Sequence, residues 1–153
     1  MSEHSLKLPS FDLFGLPRSV PVDGAALKSA HLKLARACHP DFNLEDQALA
    51  VKISSHVNRS MKSLADRLGA LRELSQVASP GTPEPKVDAV FLADMMDSSE
   101  SPDAARILAA KLEAELASAE QQARQSNWPQ ALQHMARAGY CRSLSARAME
   151  SQP

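Results

Sequence analysis

Aromatic residues make up 4% of the chain, with one tryptophan and one tyrosine among them. With so few flat rings, a core has to be built from Leu, Ala, Met and Val, which suits helices better than sheets. Cysteine is scarce as well. Cys38 and Cys141 are too few and too far apart for a disulfide framework or a CxxC metal site, so reduced thiols in a cytosol-like compartment are expected. No sign of charge dominates, because 17 basic and 18 acidic residues leave a net charge of -1. That balance speaks against nucleic acid as the main partner. No apolar run approaches the roughly 20 residues of a membrane span. Met1 to Pro9 is polar and lacks the apolar stretch of a secretory signal. These absences predict a soluble, intracellular, cytoplasmic protein with no membrane partner.

What the chain does have is helical periodicity, interrupted by proline. Its 153 residues fit one compact domain or two small ones, and 44% hydrophobic content suffices for a core. Phe11 to Pro17 is a short apolar segment closed by Gly15 and Pro17, expected to dock onto something larger. Asp23 can cap a helix over Ala25 to Cys38. At 100° per residue, Leu27, Ala30, His31, Leu34 and Cys38 share one face of that helix, and Lys28, Lys33 and Arg36 gather opposite. Pro40 then supplies no helical N–H and drives His39 out of the α region. His39-Pro40-Asp41 is thus expected on a loop between helices. A long second helix is predicted over roughly Gln47 to Leu74, with a stripe of Ile53, Val57, Met61, Leu64, Leu68 and Leu71. Two such helices joined by a short loop should pack antiparallel.

Ser79 to Pro85 holds three prolines and a glycine, so it reads as a boundary between units. Beyond it, Val87 to about Met96 is apolar on one side. Ser101 and Pro102 resemble an N-cap and first helical residue, opening a helix toward Gln125 striped by Leu108, Leu112, Leu116 and Ala119. Asn127 to Pro129 breaks the pattern before a last helix carrying Leu132, Met135, Tyr140 and Leu144. Strand alternation and internal repeats are both missing. The expected fold is all-α: a helical hairpin followed by a small helical bundle.

A helix, His39-Pro40-Asp41 and a second helix resemble the J domain, the part of J-protein co-chaperones that engages heat-shock chaperones of the DnaK type. The run His31 to Asp41 is similar to that family's recognition segment. Phe11-Asp12-Leu13-Phe14-Gly15-Leu16 resembles the opening of HscB-type J-proteins, which serve iron–sulfur cluster assembly. Val57-Asn58 also fits, as do Ala89-Val90-Phe91-Leu92 with Met96-Asp97, and Trp128 with Met135 to Leu144. The resemblance divides the chain into a J domain over 9–76, a proline-rich linker over 77–86, and a three-helix scaffold-binding domain over 87–150. Several positions depart from the pattern. Phe42 replaces a usual lysine, and Leu32 stands where many J domains are basic. Ala93 is smaller than common, Ser98-Ser99 and Ser101-Pro102 replace a charged helical continuation, and the C-terminal domain is shorter. The cysteine-rich N-terminal extension of some eukaryotic relatives is missing.

The resemblance implies that His39, Pro40 and Asp41 contact a DnaK/HscA-type chaperone, with Asp41 pairing a chaperone arginine. Lys28, Lys33 and Arg36 would steer an acidic surface of that partner. Leu92, Met96, Asp97 and Tyr140 align with the patch that holds an IscU-type iron–sulfur scaffold. On this reading the chain stimulates its partner's ATPase, is not itself an enzyme, and carries no cofactor and no metal.

Each feature also has a plainer meaning. A basic helical stripe is commonly a solvated face, and only the adjoining tripeptide gives this one another sense. Cys38 lies on the apolar stripe, where a free cysteine behaves as a small hydrophobe rather than a nucleophile or zinc ligand. Phe91, Leu92 and Met96 could equally be core residues. Two alternatives accompany the HscB-type reading: a J-protein co-chaperone with a different protein client, and a nucleic-acid module using the basic helix as reader. Near-neutral charge and the lack of interleaved aromatics oppose the second.

Overall fold

Aspartates placed just before helical runs set where most of the chain's helices begin. In the computed structural model, which describes residues 2–150 apart from the side chain of Leu44, the chain forms seven α-helices. They are α1 (Ser10–Leu13), α2 (Gly24–Ala37), α3 (Gln47–Ala65), α4 (Arg67–Ala78), α5 (Ala89–Ser99), α6 (Ala104–Arg124) and α7 (Trp128–Glu150). Among the described residues there is no strand. The Asp23 carboxylate accepts from the N–H groups of Ala25 and Ala26 at 3.0 and 3.1 Å, opening α2. Asp46 accepts from Leu49 at 2.9 Å, Asp66 from Gly69 at 2.8 Å and Asp88 from Phe91 at 2.9 Å, opening α3, α4 and α5 in the same way. Each bond satisfies a helix-terminal donor that would otherwise lack a partner.

The chain divides into two compact units, one ending at Val77 and the other starting at Ala78. In the first, α1 and α2 both pack on α3. Phe11, Leu13 and Phe14 bury their side chains, as do Leu27 of α2 and Ile53, Val57 and Leu64 of α3. Burying a ring such as Phe11 is worth about 2–3 kcal/mol. Gly15 ends α1 in the left-handed region at φ 62°. Its neighbour Leu16 donates back to the Phe11 carbonyl at 2.9 Å, the bond that closes a helix C-terminus around a glycine. His31 of α2 meets Asn58 of α3 at 3.0 Å. Cys38 lies near Ala50 across the same pair, so the partner's number falls as the first rises and the two helices run antiparallel.

The expected single helix from Gln47 to Leu74 is broken. Asp66 adopts extended dihedrals (φ -91°, ψ 130°) between α3 and α4. Its short carboxylate competes for backbone donors and restarts the chain as a cap, so an unbroken apolar stripe spans two helices. Gly69 has a steric role at this corner, since an added Cβ would sit 2.3 Å from the Ser63 backbone carbonyl oxygen.

In the second unit α6 and α7 form an antiparallel hairpin, with α5 packed on both. Ser126 closes α6 at φ 58°. Ser126 and Asn127 donate to the Ala123 and Gln122 carbonyls at 3.0 and 2.9 Å, respectively. The start of α6 falls two residues later than expected. Pro102 lies in a turn and Asp103 is the cap position, while the Ser101 hydroxyl accepts from the Asp103 N–H at 3.3 Å. Met95, Leu108 and Cys141 form one fully buried cluster, with Phe91, Leu112, Tyr140 and Leu144 packed around it.

The Asp88 carboxylate takes the Phe91 N–H and also the Arg137 guanidinium, at 2.7 Å. These two bonds hold its pKa below the ordinary 3.8. A lowered carboxylate contributes stability above the ordinary value and loses it as pH falls through the lowered one. Asp88→Asn, which keeps a capping oxygen but not the charge, is expected to melt below the wild type at neutral pH. The gap should close as both are acidified toward about pH 2, followed by circular dichroism. Gly69→Ala is expected to lose about 1–3 kcal/mol, because crowding against a backbone carbonyl outweighs the helix-propensity gain. The midpoint of urea unfolding should fall at unchanged slope.

Candidate functional site

Pro40 shapes the turn between α2 and α3 first through His39, which takes extended dihedrals (φ -64°, ψ 132°) as a residue before proline should. Pro40 to Phe42 then form one 3-10 turn. The Asp41 N–H donates to His39 Nδ1 at 3.2 Å, which leaves the ring proton of the neutral imidazole on Nε2. Asn43 completes the clamp. Its Nδ2 donates to the Ala37 carbonyl at 3.0 Å and to the His39 carbonyl at 2.9 Å, tying the turn to the last residues of α2. With its own backbone committed inward, the turn leaves the Asp41 side chain 82% exposed. The Asp41 carboxylate lies 3.6 Å from His39 Nδ1 and is otherwise presented to solvent.

Lys28, Lys33 and Arg36 are all exposed on α2, while Leu27 and Cys38 on the opposite side are buried. The predicted split between basic and apolar faces is thus the observed one. Leu32, on the outer surface, is half exposed. Sequence reasoning missed Asn43, the residue that ties the turn to α2. Its signal was an amide two residues past the tripeptide, where Asn is a habitual turn former.

The second proposed patch is more mixed. Met96 is 58% exposed and Asp97 is exposed on α5, whereas Leu92 is half-buried. Tyr140 on α7 packs against the buried Met95–Leu108–Cys141 centre and keeps part of its surface in solvent. Val90, 81% exposed, is a further apolar member of the α5 surface, outside the four residues expected to form the patch. Arg137 holds this region together: its guanidinium sits 5.0 Å from the Phe91 ring centroid while pairing with Asp88. Lys111 of α6 pairs with Asp94 of α5, and His134 of α7 meets Glu115 of α6 at 2.6 Å. The acidic rim of α5 is therefore only partly neutralised.

Among the described residues no group of three His, Cys, Asp or Glu side chains is placed to hold a metal ion. No described helix is long and apolar enough to cross a membrane. Both cysteines are free and buried. Burial, with Glu115 nearby, pushes the Cys141 thiol up to about 11. The Cys141 thiol donates to the Met95 thioether, with Sγ 3.5 Å from Sδ.

No family model matches the chain. Similarity to individual proteins is clear. A co-chaperone protein HscB homologue of Chromobacterium violaceum is 33% identical over 110 residues, 67% of this chain and 63% of that protein, so the match spans just under two thirds of the relative. An HscB homologue of Vibrio vulnificus (strain YJ016) is 30% identical over 142 residues, covering 79% of this chain and 83% of that protein. One of Bordetella petrii is 31% identical over 126 residues, 76% and 74% of the two lengths. Among solved structures, the chaperone HscB from Vibrio cholerae superposes with a TM-score of 0.80 at 23% identity, covering 94% of this chain and 96% of that one. Human co-chaperone protein HscB gives 0.82 at 23%, covering 94% and 82%. These structures share the chain's fold. By its similarity to the curated relatives, the chain belongs to the HscB family of co-chaperones.

At pH 7.5 a thiol with the Cys141 value is ionised in roughly 1 molecule in 3,000, and only the thiolate reacts readily. Ellman's reagent should therefore modify Cys141 far more slowly in the native protein than after unfolding in denaturant. A native Cys141 as fast as free cysteine would contradict the packing described above.

Proposed function

We propose that this chain is a J-protein co-chaperone that stimulates the ATPase of a DnaK/HscA-type heat-shock chaperone and brings it an IscU-type scaffold, supporting iron–sulfur cluster assembly in the cytoplasm. The observation that carries this reading is Asp41, held 82% exposed at the tip of a hairpin by bonds that satisfy the surrounding backbone. An exposed loop carboxylate can form a charge-assisted pair with a chaperone arginine, and such pairs are about twice as strong as neutral hydrogen bonds. Pro40 fixes the turn and His39 anchors it from within. Lys28, Lys33 and Arg36 would guide an acidic partner surface by a long-range attraction that salt screens.

In the second unit, Leu92, Met96 and Asp97 with Tyr140 would hold the scaffold through a small apolar contact with an acidic edge. Joining both contacts in one chain raises the scaffold's effective concentration beside the chaperone. All of this is adaptor work. The chain supplies no catalytic group of its own: nucleotide hydrolysis belongs to the partner, and membership of the HscB family supports that division of labour.

The test is single-turnover ATP hydrolysis by a purified DnaK/HscA-type chaperone with and without this protein. Wild type is expected to accelerate it, and Asp41→Ala to lose at least about tenfold of that effect, the cost of an interfacial charge pair. Equal stimulation by Asp41→Ala would remove the proposal. Capture of a cluster scaffold should be lost with Met96→Asp, a surface change that leaves the melting temperature alone. Stimulation without scaffold capture would instead point to a J-protein with a different protein client.

A further inference from the structure

Phe42, directly after the exposed carboxylate, is 78% exposed. Its ring meets that of His39, at 5.7 Å between centroids and tilted by 57°. A side chain so exposed contributes little to folding, yet a large aromatic in solvent at the tip of a rigid turn is the kind of group that anchors an interface. Beside it lies a groove of ≈ 420 Å³ between the turn and the start of α3. Leu49, Ala50 and Ile53 supply its apolar lining, and Glu45 and Asp46 stand at its exposed rim. The groove's lining is mixed, polar and apolar in about equal parts, and Glu45 and Asp46 make its edge negative.

We infer that Phe42 and this groove form a second recognition element beside Asp41, which takes an aliphatic side chain flanked by a basic residue on the chaperone and makes Phe42 a determinant of which chaperone is served. The inference rests on the reading of the Asp41 turn given above. Charge complementarity chooses the occupant: Asp41, Glu45 and Asp46 together favour a cationic segment, and the exposed Phe42 ring favours an aliphatic group beside it. The contact differs in kind from that of the α2 basic face. Attraction through Lys28, Lys33 and Arg36 weakens with salt, whereas the apolar part of a contact with the Phe42 ring does not.

Chaperone ATPase stimulation, titrated with wild type, Phe42→Ser, Phe42→Leu and Asp41→Ala, tests this. Phe42→Ser is expected to raise the concentration for half-maximal stimulation about tenfold, the usual loss of an interface anchor. Phe42→Leu keeps an apolar group and should stay within about twofold of wild type, while Asp41→Ala abolishes stimulation at every concentration. The exposure of Phe42 means that none of its variants should shift the melting temperature, which is checked alongside. If Phe42→Ser matches wild type, or Phe42→Leu is as weak as Phe42→Ser, the second element is wrong while the role of Asp41 stands. If Asp41→Ala stimulates like wild type, both readings fall together.

Discussion

Pro40 is the constraint from which the first unit's functional geometry follows. It removes one helical donor and forces His39 into extended backbone, so α2 cannot continue into α3. The freed carbonyls of Ala37 and His39 need donors, and Asn43 meets both. The Asp41 N–H needs an acceptor and finds the imidazole of the residue that proline displaced. Once these needs are satisfied internally, the Asp41 carboxylate is the polar group left outward. The turn is ordered before any partner arrives, so little conformational freedom remains to be lost on docking. Antiparallel packing of α2 on α3, with His31 bonded to Asn58, holds both ends of the turn in place.

The second unit solves a different problem with similar means. A helix of eleven residues such as α5 has little stability of its own in water. It is held at its first turn by Asp88, which caps α5 and pairs with Arg137, and by Phe91 beneath the same guanidinium. Further along, Met95 is locked against Leu108 and Cys141. Fixing α5 from one side leaves Val90, Met96 and Asp97 on the other, a surface that needs no rearrangement to be used. Cys141, the one thiol in that cluster, has its pKa pushed up by burial, which favours the protonated form that packs there.

Much of this was legible in the sequence because it depends on local rules. The basic and apolar faces of α2, the loop at Pro40 and the proline-rich break near Ser79 all follow from spacing or from proline itself. The missed features depend on what a short polar side chain bonds to. Asp66 carries no periodic signal, and the apolar stripe of Leu64, Leu68 and Leu71 runs unbroken across it, yet its carboxylate captures the Gly69 N–H and splits the helix. Ser101 and Asp103 are both competent caps with Pro102 between them, so spacing alone could not choose the start of α6. Tyr140 shows the remaining gap: helical spacing puts it on α7, but only tertiary packing reveals that one side of its ring serves the core.

The near-neutral total charge conceals two local surfaces of opposite character. Exposed Lys28, Lys33 and Arg36 line one face of α2, while α5 carries Asp94 and Asp97 with Glu100 just past its end, and of these Asp94 pairs with Lys111. A chain of net charge -1 therefore has no long-range field to draw one kind of partner over its whole surface. At ordinary salt the attraction of such exposed charges reaches over roughly a Debye length, about 8–10 Å. A partner with an acidic face is drawn to α2 and repelled at α5, and a basic one the reverse.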